Sequence, residues 1–481
     1  MQKLKVSKYL RIIPRRADFA VYHSLYGNLM LVDAEGKALL QSFGGGCVID
    51  EAIRKFSAYD ASVVWSYVHE LRMRDFLVAD DTDEYGLVHA DTLRREDQLE
   101  KGYLLRVLQL VVANTCNFNC KYCFVDKMYG SEERDVLQHR PENMTMSFST
   151  AKQSIEKVLD IVARNGTPQL SIEFFGGEPL MNWPLIKQVL ETFRTKSPQG
   201  IELLYSVTTN GSLITEEMAR LFKEHNVTVT VSFDSPDSSV HSAVEAQKGG
   251  GLIKEKLETL KKYGNWVTFN TVISRETIDS YDGKALIDSA KKYRIAMIGL
   301  ILDLDLSFYS KESRRKKVIE QLWSTYEYGR DQGVVVVGYW HQIFNQIAGL
   351  QPINLLSGYK TCPATGCKVS VEPEGHVFIC KCCSGYLGHV SQLEAVLKSE
   401  KYRQYSMQAY RNAPGCEGCA IEGFCAGVCM GALEKKYQRI DIVESSSCQV
   451  YKGITRKLLQ NVDSNDVEVH YLHQDNNPSR I

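Results

Sequence analysis

Between residues 105 and 308 the chain alternates short apolar runs with amphipathic stretches, and this pattern restricts the possible folds more than any other feature. The runs RVLQLVVA, QLSIEFF, LLYSVTT, VTVTVSF, WVTFNTVI and IAMIGLIL are rich in β-branched residues and read as strands. The stretches 149–164, 184–196, 215–224, 251–263 and 283–293 carry apolar residues at helical spacing. Strands joined by helices run parallel, because a parallel pair needs a long crossover. The fold class is therefore α/β, either a partial barrel or a doubly wound sheet. In such sheets chemistry gathers at the C-terminal ends of the strands.

The flanking segments read differently. In residues 1–95, FAVYHS (19–24) and NLMLVD (28–33) predict two strands around a Tyr-Gly turn. GKALLQSF, IDEAIRKF and SVVWSYVHELRMRD predict three short helices, FLVA (76–79) a returning strand, and DDTDEYG a linker. The barrel or sheet block covers 96–308. Residues 309–360 predict a helical connector that ends in the strand GVVVVGYW, 361–463 form a cysteine-rich block, and 464–481 are expected to be a polar, frayed tail.

Charge and hydropathy exclude several functions. With 57 Lys+Arg against 58 Asp+Glu the net charge is -1, so no nucleic-acid partner is expected. No apolar run approaches the roughly 18–20 residues that span a bilayer, so no membrane partner is expected either. The opening MQKLKVSKYLRIIPRR has no continuous apolar segment of the secretory kind, and a cytoplasmic location follows as the expectation. In that reducing compartment the 14 cysteines are better candidates for metal ligands than for disulfides. Cys47 stands alone, three cysteines fall in 116–123 and ten in 362–448.

The segment CNFNCKYC spaces Cys116, Cys120 and Cys123 on a loop directly after the first strand of the alternating block. Three thiolates can hold three irons of a cubane cluster and leave the fourth open to a small ligand. Zinc or buried thiols are the other readings, but no fourth Cys or His lies close by, His139 being the nearest. The loop, with Tyr122 before its last cysteine, resembles the radical S-adenosylmethionine (SAM) superfamily. The resemblance implies a partial (β/α)6 TIM barrel, a SAM-binding [4Fe–4S] cluster, and cleavage of SAM to a 5′-deoxyadenosyl radical that takes a hydrogen atom from substrate. It also implies SAM contacts at later strand ends. These are Gly176, Gly177 and Glu178 in FFGGEP, Thr209 and Asn210 in TTNG, and Ser232 and Asp234 in SFD. Each motif also has a plainer reading as a turn or a helix cap. Relatives often carry an H-D-x-x-R pattern soon afterwards, whereas this chain reads His241-Ser242-Ala243-Val244-Glu245.

Downstream, Cys416, Cys419, Cys425 and Cys429 are followed by Cys448, and Cys362 precedes Gly375 and Cys380. These seven match the signature of the SPASM domain of peptide- and protein-modifying radical SAM enzymes, and Cys367 supplies an eighth. The resemblance implies two auxiliary [4Fe–4S] clusters, three in all. One takes Cys362, Cys367, Cys380 and Cys429, the other Cys416, Cys419, Cys425 and Cys448; two zinc sites are the alternative. Cys382 and Cys383 remain, as candidate catalytic thiols or packed side chains. Sulfatase-maturating relatives carry Asp after the cysteine matching Cys380, where this chain has Lys381.

The first block resembles the PqqD-like recognition element of enzymes that modify ribosomally synthesised peptides, an N-terminal α+β unit of winged-helix type. There the leader of a precursor peptide adds to a sheet edge, here around Asn28–Val32, beside a helix around Ser62–Arg74. The function expected is maturation of a precursor peptide by hydrogen abstraction and oxidation, forming a carbon–carbon or thioether cross-link, with flavodoxin or ferredoxin as electron donor. A SPASM-type oxidase of a protein side chain or small molecule is the second expectation. A non-catalytic iron–sulfur peptide-binding or redox-relay protein is the third.

Overall fold

The computed structural model describes residues 2–118, 120, 122–123, 144–197, 199–235, 250–350, 362–408 and 414–472. The first block holds β1 (Leu4–Val6), β2 (Leu10–Pro14), β3 (Phe19–His23), β4 (Gly27–Val32) and β5 (Leu77–Ala79). β2, β3 and β4 form an antiparallel meander, and β1 pairs with β5. β3 and β4 fall where the sequence places strands. β1 and β2 are additional, their short alternation obscured by surrounding Lys and Arg residues. Helices Ala34–Gln41, Ile49–Lys55 and Ala61–Met73 follow, the first and third capped by the carboxylates of Asp33 and Asp60.

The period-two alternation gives this small sheet two buried faces. Val21, Met30 and Val32 pack with Leu39, Leu40, Val68 and Leu71 in a core of their own. Ala20, Tyr22, Leu29 and Leu31 face the other way and join the main core. The DDTDEYG segment leads into a further helix, Gly86–Glu100.

The alternating block forms β6 (Val107–Ala113), β7 (Gln169–Gly176), β8 (Glu202–Thr209), β9 (Thr228–Ser232), β10 (Val267–Ile273) and β11 (Met297–Leu302), all parallel. These are the six expected strands of the α/β core. The GVVVVGYW run supplies β12 (Val335–Val337), which adds parallel to β11, and its last residues begin the helix Tyr339–Ala348. β13 (Lys368–Val371) pairs parallel with β6, and β14 (His376–Phe378) and β15 (Tyr386–His389) follow antiparallel. One sheet of order β12-β11-β10-β9-β8-β7-β6-β13-β14-β15 therefore joins the parallel core to the cysteine-rich block.

Part of the tail is ordered rather than frayed. β16 (Glu468–Val469) adds parallel to β4, with Glu468 opposite Met30, and Leu472 is fully buried in the core of the first block. No helix among the described residues is long and apolar enough to cross a membrane.

Two buried histidines are neutral in this fold. His23 sits between Ser7 Oγ at 3.1 Å and the Leu25 N–H at 3.2 Å, and burial lowers its pKa to about 4. Burial likewise lowers His341 to about 4. In the unfolded chain both protonate near 6.5, so the unfolded state binds more protons between pH 6.5 and about 4. Stability is then full above pH 6.5 and falls toward pH 4, by up to about 1.4 kcal/mol per pH unit for each histidine. Urea unfolding across this range should show the loss, and a His23→Gln/His341→Gln variant should flatten it. An unchanged slope in that variant would refute the assignment.

Candidate functional site

After Ala113 the chain leaves β6 and enters the loop that carries Cys116, Cys120 and Cys123, the first exposed and the other two partly exposed. The Phe118 N–H donates to Cys116 Sγ at 3.4 Å, and the Asn210 side-chain amide donates to Asn117 Oδ1 at 2.9 Å. The FFGGEP turn is pressed onto this loop. Gly177 N donates to the Ala113 carbonyl at 2.9 Å, and Glu178 N to the Thr115 carbonyl at 2.8 Å. A Cβ on Gly176 would collide with the Ala113 carbonyl, and one on Gly177 with the Thr115 carbonyl. Only glycine permits this approach, which brings the C-terminal ends of β6 and β7 together.

Glu178 lies 1% exposed beneath the loops. It accepts from Thr209 Oγ1 at 2.7 Å, Asn210 N at 2.8 Å and Leu180 N at 3.0 Å. Burial pushes its carboxyl above the usual range, against the opposing pull of those three donors. Glu178 and Thr209 thus tie strand ends together, while Asn210 turns its side chain toward the cysteine loop. Ser232 is exposed at the end of β9. Asp234 accepts from the Tyr122 hydroxyl and from the Val272 N–H at 3.0 Å, fixing the cysteine loop to β10. Burial, and then Asp234, push the Tyr122 hydroxyl well above its ordinary pKa. His139 and His241–Glu245 lie outside the described residues.

The later cysteines form two groups. Burial pushes Cys448 up to about 12, with Cys425, Cys416 and Cys419 adding their charges. Burial also pushes Cys362 up to about 12, with Cys380 next in effect and Cys429 adding less. Cys380 and Cys429, and then burial, push the Cys382 thiol well above its ordinary range. Cys367 is fully buried on β13's approach, and its thiol meets Thr365 and Arg95. Cys383 is buried as well.

The sequence reading passed over Glu173 and Lys368, which join these sites, and noted Lys381 only as a departure from sulfatase-maturating relatives. Lys368 donates to Glu173 at 2.6 Å and Gln109 donates to the same oxygen at 3.0 Å, bridging β13, β7 and β6. Lys381 is buried, donates to the Gly176 carbonyl, and lies 3.8 Å from the centre of the Phe175 ring. Burial lowers its pKa to about 7, against the charges of Cys382 and Cys123. The available signal was the polar residues at alternate positions of QLSIEFF, which face inward in a parallel barrel.

The β4 edge expected to receive a peptide is occupied by β16. Arg74 pairs with Glu468, the Tyr67 hydroxyl donates to the His470 carbonyl at 2.8 Å, and His470 N donates to the Leu31 carbonyl at 2.8 Å.

Replacing Glu178 by Ala strands three donors in the interior. It should destabilise the protein by about 3 kcal/mol and weaken SAM binding, whereas Glu178→Gln should cost less. Thermal unfolding and equilibrium dialysis with SAM check this. An Ala variant as stable as the parent would overturn it.

Comparison with known proteins agrees with this geometry. A family profile described as the radical SAM superfamily matches residues 110–283. The radical SAM cyclopropyl synthase TigE of Paramaledivibacter caminithermalis is 36% identical over 460 residues, 95% of this chain and 96% of TigE. The structure of native anSMEcpe with bound AdoMet superposes with a TM-score of 0.59 at 20% identity, over 75% of this chain and 99% of that one. Streptococcus suis SuiB bound to its precursor peptide SuiA gives 0.53 at 14% identity, over 93% of this chain and 100% of SuiB. Both superpositions concern the fold. The identity to TigE spans the small N-terminal unit, the parallel core and the cysteine-rich block, and the chain belongs to the radical SAM superfamily.

Proposed function

We propose that this chain modifies a ribosomally made precursor peptide, holding its leader on the N-terminal unit while the barrel closes a carbon–carbon bond in the core peptide. A cyclopropane ring is the favoured product. The observation that carries this reading is the similarity to a cyclopropyl synthase over 95% of the chain, both flanking units included. It favours the carbon–carbon form of the cross-link expected from sequence.

The residues fit the implied cofactors. Cys116, Cys120 and Cys123 stand exposed or partly exposed on one loop, as suits holders of a [4Fe–4S] cluster with one open iron. Gly176, Gly177, Asn210, Ser232 and Asp234 surround that loop as the SAM contacts. The eight-cysteine region would hold two auxiliary clusters. When bound, the first cluster and SAM supply a 5′-deoxyadenosyl radical that removes one hydrogen atom from substrate. Ring closure takes two hydrogens from the peptide in total, so a proton and an electron must also leave. The thiols of Cys362 and Cys380 lie near Lys368, and Cys380 also near Lys381, which reaches the end of β7; this supports an electron acceptor on that side of the core. A flavodoxin or ferredoxin would serve as the external reductant.

The N-terminal unit would read the leader by strand addition, since a sheet edge offers main-chain groups and alternate side-chain pockets. The chain's own β16 holds that edge. A leader must therefore displace Glu468–Leu472, and the tail tunes its affinity.

Anaerobic reconstitution with SAM, dithionite and the precursor peptide tests the reading. 5′-Deoxyadenosine should form, and the peptide should lose two hydrogens by mass. If no 5′-deoxyadenosine appears with or without peptide, the enzyme reading fails. Deleting residues 464–481, or replacing Glu468 by Ala, should tighten leader binding by about tenfold, worth ~1.4 kcal/mol. Leader affinity unchanged in both variants would sink the displacement.

A further inference from the structure

We propose that Cys382, and not Cys367, is the fourth thiolate beside Cys362, Cys380 and Cys429, completing a four-cysteine site for an iron–sulfur cluster. The proposal rests on the reading of auxiliary clusters above and departs from the ligand set implied by family resemblance.

Accessibility sorts the cysteines. Of the 14, Cys47, Cys367 and Cys383 are buried and the other eleven keep accessible surface. Those eleven fall into three neighbourhoods: the loop triplet, the group around Cys448, and Cys362, Cys380, Cys382 and Cys429. Ligands must border a space large enough for the group they hold, whereas a packed thiol has atoms on every side. Cys367 and Cys383 are 1% and 2% exposed and belong to the continuous apolar core.

Strand geometry points the same way. Along β13, Lys368 reaches Glu173 inside the sheet, and Ser370 lies opposite both Phe378 and Gln109. Side chains alternate along a strand, so Cys367 points away from the face that Lys368 occupies. Its carbonyl accepts from Arg106 N and Val107 N at 2.9 Å, which locks this orientation. Its thiol is left with Thr365, Arg95 and Arg106, while Tyr402 packs near it.

Cys382 has the opposite surroundings. Cys383 N donates to the Cys380 carbonyl at 3.0 Å, so residues 380–383 form a tight turn. That turn is pressed on the start of the helix Met430–Tyr437, whose N-cap is Cys429. A Cβ on Gly431 would collide with the Cys382 carbonyl and come within 3.1 Å of the Cys382 Cβ. The contact holds Cys382 beside Cys429 as well as Cys380.

The test uses the full-length protein reconstituted anaerobically with iron and sulfide. Three [4Fe–4S] clusters hold about twelve irons per chain. Cys382→Ser should lose about four of them or replace one reduced-state EPR signal, and Cys367→Ser should keep the parental iron, sulfide and spectrum. Cys382→Asp retains an oxygen ligand and should shift one signal while the other two persist, which separates ligand loss from misfolding. The proposal is overturned if Cys367→Ser loses iron or changes a signal, or if the Cys382 variants match the parent. A parent protein that binds only about four irons would instead overturn the auxiliary-cluster reading itself.

Discussion

The pairing of β13 with the edge of β6 is the constraint on which the functional arrangement depends. A parallel sheet that does not close leaves a row of unpaired N–H and C=O groups along its first strand. β13 satisfies that row in register, with Lys368 opposite Val107 and Val371 opposite Leu110. The hairpin that follows carries Cys380 and Lys381 to the ends of β6 and β7, where Lys381 meets the Gly176 carbonyl. The two cysteine sets belong to one site region because one strand finished another's hydrogen bonding.

The interior that results is charged, which a protein tolerates only with pairing. Glu173 is shared by Lys368 and Gln109, and Lys381 is held by a carbonyl and an aromatic face. These bonds cross from β13 to β7 and β6, so they fix the relative position of the strand ends. The glycines of FFGGEP and the carboxylate of Glu178 do the same for the loop of Cys116. Radical chemistry depends on such fixed distances between the reacting groups.

The N-terminal unit is tied to the same region. The Tyr22 hydroxyl donates to the Ala420 carbonyl at 3.1 Å, Arg11 to the Gly418 carbonyl at 2.7 Å, and Gly423 N to the Ser24 carbonyl at 2.9 Å. Its sheet therefore rests on the loop that carries Cys416, Cys419 and Cys425. The β4 edge of that sheet is covered by β16.

The six core strands and their helices were legible because hydrophobic period reports secondary structure directly. CNFNCKYC was legible because ligand spacing within a single loop is a local property. The short strands β1 and β16 were not, since each is held by a partner far along the chain, and the pattern of β2, which pairs with the neighbouring β3, was obscured by the Lys and Arg residues around it. Glu173 and Lys368 were hidden for a related reason: a lone charge in a strand looks like a solvent-facing residue until its partner strands are in place. By itself the sequence determined that cysteines would gather near the end of the first core strand and again beyond the barrel. Which thiols face a common space, and which are packed away, was decided only by tertiary structure. The pleat of β13 and the turn after β14 set those directions, and neither can be read from the spacing of cysteines along the chain.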